Sequence, residues 1–93
     1  MKLSVKYSGK FKKGLKLAAK RGLDISLLES VVEKLQNRIP LEEKYQDHQL
    51  RGKMSKYREC HIQPDWLLIY LIEEDILVLT LIDTGTHSYL FGE

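Results

Sequence analysis

Trp66-Leu67-Leu68-Ile69-Tyr70-Leu71-Ile72 is followed by Glu73-Glu74-Asp75 and then by Ile76-Leu77-Val78-Leu79-Thr80-Leu81-Ile82. Two runs of leucine, β-branched and aromatic residues, separated by three acids, form the pattern of an antiparallel β-hairpin with the acids in its turn. Each run is apolar on both faces, which places the pair at the centre of a sheet with other elements covering at least one side. Met54 to Ile62 is a further strand candidate, and Tyr89 to Phe91 a final short one. At the amino end Leu3, Val5 and Tyr7 alternate with Lys2, Ser4 and Lys6, the period-two signature of a half-buried strand.

Helical spacing occupies the interval between the first strand and the rest. Phe11, Leu15, Ala18 and Ala19 recur at that spacing, with lysines on the other faces and Gly22 placed for a carboxyl-terminal cap. Gly14 weakens this helix. Ser26-Leu27-Leu28-Glu29 has the form of a capping box, and Leu28, Val31, Val32 and Leu35 make a second apolar stripe. Pro40 stops that helix near Arg38, and Leu41 to Tyr45 is a polar connector. Two amphipathic helices with a short glycine-containing link predict an antiparallel helical hairpin. The expected fold is α+β in one domain over residues 1–93: an N-terminal strand, a two-helix hairpin, then an antiparallel sheet of about four strands.

Cys60 is the single cysteine, so no internal disulfide forms and no zinc-type cysteine spacing exists. A reducing, cytoplasmic compartment is expected. Met1 to Lys6 lacks an apolar signal core, and no apolar run approaches the roughly 20 residues of a membrane span. The net charge of +2 hides a split. All fifteen Lys and Arg lie between Lys2 and Arg58, against six acids, which makes that segment +9; from Glu59 onward seven acids and no Lys or Arg give −7. Lys10, Lys12, Lys13, Lys16, Lys20 and Arg21 fall in one short stretch. Taken alone, such a run reads as the wet face of a helix; with the charge split, it also fits a polyanionic partner. Lys10, Lys13 and Lys53 are the candidate substrate-binding cations.

Three histidines lie in the second half. His48 ends Tyr45-Gln46-Asp47-His48, His61 opens His61-Ile62-Gln63-Pro64-Asp65-Trp66, and His87 sits in Thr84-Gly85-Thr86-His87-Ser88-Tyr89-Leu90-Phe91. Imidazole titrates nearest neutrality, so three of them with Asp65 can supply the acid, the base and an orienting carboxylate of one site. Pro64 favours extended or turn backbone before it, which puts His61 and Asp65 on the rim of a strand-to-strand turn. Each residue alone has a plainer reading: exposed turn histidines, a turn-forming aspartate, and core positions for Trp66 and Phe91. Three histidines and a carboxylate are an acceptable zinc set. However, HExxH is absent and the histidines are dispersed, so no metal and no cofactor are expected. Neither a G-x-S-x-G elbow nor a phosphate-cradling glycine loop is present.

Three segments in order, Gln46-Asp47-His48-Gln49-Leu50-Arg51-Gly52, then Tyr57-Arg58-Glu59-Cys60-His61-Ile62-Gln63-Pro64-Asp65-Trp66-Leu67-Leu68-Ile69-Tyr70, then Thr84 to Phe91, resemble the YafQ-type branch of the RelE/ParE toxin superfamily. The opening strand and helical hairpin match as well. The resemblance implies the toxin of a type II toxin–antitoxin pair, an endoribonuclease that cuts mRNA in the ribosomal A site without a metal. It implies catalytic roles for His48, His61, Asp65 and His87, and a place for Arg58 near the scissile phosphate. Trp66 and Phe91 would contact substrate, and the partners would be a cognate antitoxin and the ribosomal RNA around the A site. His87 is expected to be the general acid; the base stays open among His48, His61 and Asp65. Departures are Met54, where related toxins often carry tryptophan, and a one-residue extension after Gly92. Two alternatives share the fold: a ParE-like gyrase inhibitor, which lacks this histidine set, and a non-catalytic binder of nucleic acid or antitoxin.

Overall fold

The computed structural model describes residues 2–92, so the extension at Glu93 lies outside the described residues. In chain order the elements are β1 (Ser4–Tyr7), α1 (Gly9–Lys20), α2 (Ile25–Gln36), β2 (His48–Gln49), β3 (Arg58–Gln63), β4 (Trp66–Glu73), β5 (Val78–Gly85) and α3 (His87–Phe91). Single 3-10 turns occupy Glu43–Tyr45 and Gly52–Met54. The expected hairpin is β4–β5, with Leu67 opposite Gly85 and Glu73 opposite Val78. Its turn is longer than the three acids, because Leu77 adopts a left-handed conformation (φ 53°) and the returning strand begins only at Val78.

The sheet has five strands in the order β1-β5-β4-β3-β2. It is mixed, not purely antiparallel: β1 runs parallel to β5, with Ser4 beside Val78 and Tyr7 beside Leu81. Alternation identifies a strand but says nothing about its partner or direction, and here a long crossover permits the parallel pairing. A second difference concerns Tyr89 to Phe91, which form a helix. The Thr86 hydroxyl accepts a hydrogen bond from the Tyr89 N–H at 3.1 Å, an N-cap that overrides the β-preference of two aromatics.

Helices α1 and α2 cover one face of the sheet. Phe11, Ala18, Leu28, Val31 and Leu35 pack there against Cys60, Ile62, Trp66, Leu68, Tyr70, Leu79 and Leu81. Gly14 earns its place by proximity: a Cβ at this position would lie 2.2 Å from the Thr84 carbonyl oxygen. The residue that weakens the helix is the one that lets it reach β5. Gly22 ends α1 with φ 81°, as its position in the sequence suggests. The cap of α2 lies two residues before the expected capping box at Ser26. Asp24 accepts from the Ser26 N–H at 3.0 Å and from its hydroxyl at 2.6 Å, so the aspartate is the cap. Beyond α2, the Arg38 guanidinium holds the Glu74 carboxylate at 2.6 and 2.7 Å, tying the helical layer to the β4–β5 turn. No helix among the described residues is long and apolar enough to cross a membrane.

Cys60 is fully buried on the helix side of β3. Burial pushes its thiol well above the usual range, and the Asp47 and Glu59 carboxylates add to the effect. The thiolate is the reactive species. The native protein is therefore expected to resist a disulfide reagent such as DTNB at pH 8 and to react with one equivalent once unfolded. Fast stoichiometric reaction of the folded protein would show that Cys60 is reachable.

Candidate active site

Side chains alternate along a strand. With Cys60 and Ile62 committed to the helical layer, Glu59 and His61 face the opposite side. Pairing extends this face across the sheet: His48 lies opposite Glu59, Glu59 opposite Ile69, and His61 opposite Leu67. Leu67 and Ile69 are buried and form an apolar floor in the middle of it. His87 opens α3 just beyond Gly85, the residue paired with Leu67. Strands stand about 4.8 Å apart, so the backbones of β3 and β5 run roughly 10 Å apart with β4 between them.

The two histidines on the β2–β3 side are wired alike. His48 Nδ1 is 2.6 Å from the Gln46 carbonyl oxygen, and its Nε2 is 3.4 Å from Glu59 Oε1. His61 Nδ1 is 3.2 Å from the Pro64 carbonyl oxygen, and its Nε2 is 3.8 Å from the same Glu59 oxygen. A carbonyl oxygen only accepts, so each Nδ1 carries hydrogen and each Nε2 is the atom left to take or give a proton. Glu59 is 3% exposed, and its second oxygen has no hydrogen-bond partner. A buried carboxylate oxygen left unpaired is destabilising and asks for a functional reason. Sequence reasoning missed this residue. Its spacing of two from His61 was visible, but its meeting with His48 depends on the two-residue strand β2, which periodicity does not announce.

His87 and Asp65 form the second cluster. Asp65 Oδ1 accepts from the His87 backbone N–H at 3.2 Å, so the carboxylate fixes the start of α3. The exposed His87 ring rests against Phe91, one helical turn on, with centroids 5.4 Å apart. The structure thus forms two clusters: His48 and His61 joined by Glu59, and His87 anchored by Asp65 with its ring against Phe91.

Two expected site residues lie elsewhere. Arg58 is three residues from His61, which puts its side chain on the helix side of β3. There its guanidinium donates to Asp47 at 3.1 Å, to the Tyr70 hydroxyl at 3.3 Å and to the Gln49 side chain at 3.4 Å. Burial works against its charge, but the bonds to Asp47 and Tyr70 outweigh it. Trp66 is 2% exposed and belongs to the core; its Nε1–H donates to Thr84 Oγ1 at 3.0 Å, and that hydroxyl donates to the Leu67 carbonyl at 2.7 Å. Lys53 is exposed in the turn between β2 and β3, and Lys10 and Lys13 are exposed on α1. Asp83, opposite Ile69, has its carboxyl raised above the usual range by burial, with the Thr84 N–H and Lys10 acting in the other direction. Among the described residues, no group of three or more His, Cys, Asp or Glu side chains is placed to hold a metal ion.

A mixed, largely antiparallel five-stranded sheet with two helices on one face is a RelE/YafQ-like fold. A family model described as a bacterial toxin of type II toxin–antitoxin system, YafQ, matches residues 3–92. The mRNA interferase toxin YafQ of Escherichia coli K12 is 42% identical over 89 residues, covering 95% of each chain. A crystal structure of a metal-bound toxin from Helicobacter pylori is 45% identical with a TM-score of 0.90, covering 96% of this chain and 99% of its own. YafQ in the E. coli DinJ–YafQ toxin–antitoxin complex is 40% identical with a TM-score of 0.89, covering 99% and 100%. The chain belongs to the YafQ family of type II toxin–antitoxin toxins, which sets the ParE-like alternative aside.

Proposed function

We propose that this toxin is a ribosome-dependent endoribonuclease that cuts mRNA in the A site by acid–base catalysis without a metal. The observation that carries the reading is the buried Glu59 carboxylate, met by the Nε2 atoms of His48 and His61. RNA brings its own nucleophile. A base takes the proton of the ribose 2′-hydroxyl, O2′ forms a bond to the adjacent phosphorus, and the bond from phosphorus to O5′ breaks. An acid protonates O5′ as it leaves. The products are a 2′,3′-cyclic phosphate and a 5′-hydroxyl, and no further reactant enters.

His48 and His61 are the candidate bases, each presenting Nε2 to the face, with Glu59 between them to balance the imidazolium that forms. His87 is the acid, held by Asp65 through its backbone. Arg58 has no part in stabilising the phosphorane, since it faces the other layer; Lys53 and the protonated imidazoles are the cations available for that. Phe91, half-buried beside His87, offers a ring on which a nucleobase can stack. Lys10, Lys13 and their neighbours on α1 dock on ribosomal RNA, and a cognate antitoxin is the protein partner, as DinJ is for its E. coli relative.

Ribosomes loaded with an mRNA carrying a single 2′-deoxynucleotide at the cut position test the chemistry. With the chelator EDTA added to the assay and ribosomal magnesium kept in excess, the all-ribose message is expected to be cut and the substituted one to stay intact at that position. Cleavage of the substituted message at the same bond overturns attack by O2′.

A further inference from the structure

The residues on either side of His48 are gripped from beneath the sheet. Asp47 and Gln49 turn toward the helical layer while His48 turns away from it. The Asp47 carboxylate accepts from Arg58 at 3.1 Å through one oxygen and from the Tyr70 hydroxyl through the other. Arg58 also reaches the Gln49 side chain at 3.4 Å and the Tyr70 oxygen at 3.3 Å. Tyr70 is 1% exposed, a rigid member of the central strand β4. Burial and the Asp47 carboxylate both push its hydroxyl above the ordinary range, so it stays a donor at any physiological pH.

This arrangement answers a mechanical difficulty. β2 has only two residues, at the edge of the sheet, and is preceded by Gln46 in a left-handed conformation (φ 47°). So short an edge strand has little ladder of its own to hold it. Yet His48 must keep Nε2 within reach of Glu59. Gln46, whose carbonyl fixes the His48 ring, is also next to Asp47 in the chain. One carboxylate therefore anchors both the backbone that carries the imidazole and the carbonyl that orients it.

We infer that Asp47, clamped by Arg58 and Tyr70, is the positioning residue for His48: it touches no substrate and acts by holding that imidazole against Glu59 across the sheet edge. The inference rests on the reading of His48 as part of the catalytic group. A catalytic group displaced by 1 Å loses on the order of 100-fold in rate. Asp47→Asn keeps the size of the side chain but supplies one acceptor where there were two, and it removes the negative charge facing Arg58.

The test is a double-mutant cycle with mRNA on ribosomes as substrate, using wild type, Asp47→Asn, His48→Ala and the two combined. Beside it, the imidazole resonances of His48 are followed by NMR in wild type and Asp47→Asn. Asp47→Asn is expected to lower kcat about 10- to 100-fold with KM within twofold, to shift the His48 resonances, and to cause no further loss when His48 is already alanine. Tyr70→Phe, which keeps the buried ring, is expected to move the same quantities in the same direction, and it replaces Asp47→Asn should that variant not fold. Equal losses from Asp47→Asn with and without His48, or a wild-type rate in Asp47→Asn, overturn the inference. Should His48→Ala itself cleave at the wild-type rate, the catalytic reading of His48 fails; the clamp is then judged by NMR, and unchanged His48 resonances overturn it.

Discussion

His87→Ala is expected to lower the rate of mRNA cleavage by about 100- to 10,000-fold, the contribution of a general acid, while leaving the fold and antitoxin binding in place. The two halves of that expectation come from different features. The ring of His87 is exposed, and its neighbour is Phe91 on the same short helix. The bond that secures the start of α3 runs from its backbone N–H to Asp65 and survives any side-chain change except proline. Alanine is also the best helix former, so stability should stay within about 0.5 kcal/mol. Losing the acid leaves the 5′-oxygen to depart as an alkoxide, which is the difficult part of the reaction. Mapping mRNA 5′ ends after brief induction reads the outcome. New ends in register with the reading frame in wild type, absent in the variant, establish the role. Equal cleavage by the variant removes His87 from the mechanism. Arrest of growth with no new ends in wild type points to a target other than mRNA, and persistence of arrest in His87→Ala favours the non-catalytic binder.

The central hairpin was legible because both faces of β4 are buried from Trp66 to Tyr70 and no residue of β5 is exposed, a condition few other patterns mimic. What alternation could not supply was partnership. Leu3, Val5 and Tyr7 mark a strand without saying that it lies parallel to β5. Glu59 looks like an ordinary strand acid until β2 folds back and sets His48 opposite it. Arg58 and Trp66 are a different case. Both lie an odd number of residues from His61, at Arg58 three and at Trp66 five, and parity along an extended chain is enough to put Arg58 on the other face. The β-bulge near Ile62 and the turn at Pro64 break simple counting for Trp66, but its place at the head of an apolar run carries the same message. Resemblance assigned the three histidines and these two residues alike to the site; the geometry of the sheet separates Arg58 and Trp66 from His48 and His61. The short helix α3 escaped because its cap, Thr86, and its aromatics pull in opposite directions, and the cap prevails.

Trp66 is where that separation has its largest measurable consequence. Trp66→Ala is expected to destabilise the fold by about 3–5 kcal/mol, a large share of the roughly 5–15 kcal/mol that holds a domain together. The ring is 2% exposed. It lines, with Gly14, Leu17, Ala18 and Leu23, a cavity of about 360 Å³ between α1 and the end of β5, so truncation enlarges a space that the surroundings already fail to fill. The lost hydrogen bond matters less, because Thr84 Oγ1 keeps its own bond to the Leu67 carbonyl. Trp66→Phe retains most of the packing and gives up that one bond, at about 1 kcal/mol. Each kcal/mol moves the melting temperature of a domain this size by roughly 4–8 °C. Thermal unfolding by circular dichroism should therefore show a small shift for phenylalanine and a fall of well over 10 °C, or no cooperative transition, for alanine. A stacking platform for substrate predicts the reverse pattern. Trp66→Ala would then melt near wild type and lose affinity for mRNA-loaded ribosomes, while Trp66→Phe, which keeps a stacking ring, would hold it. Unchanged melting with a tenfold rise in KM would return Trp66 to the site; a lowered melting temperature with the phenylalanine variant cutting at the wild-type KM keeps it in the core.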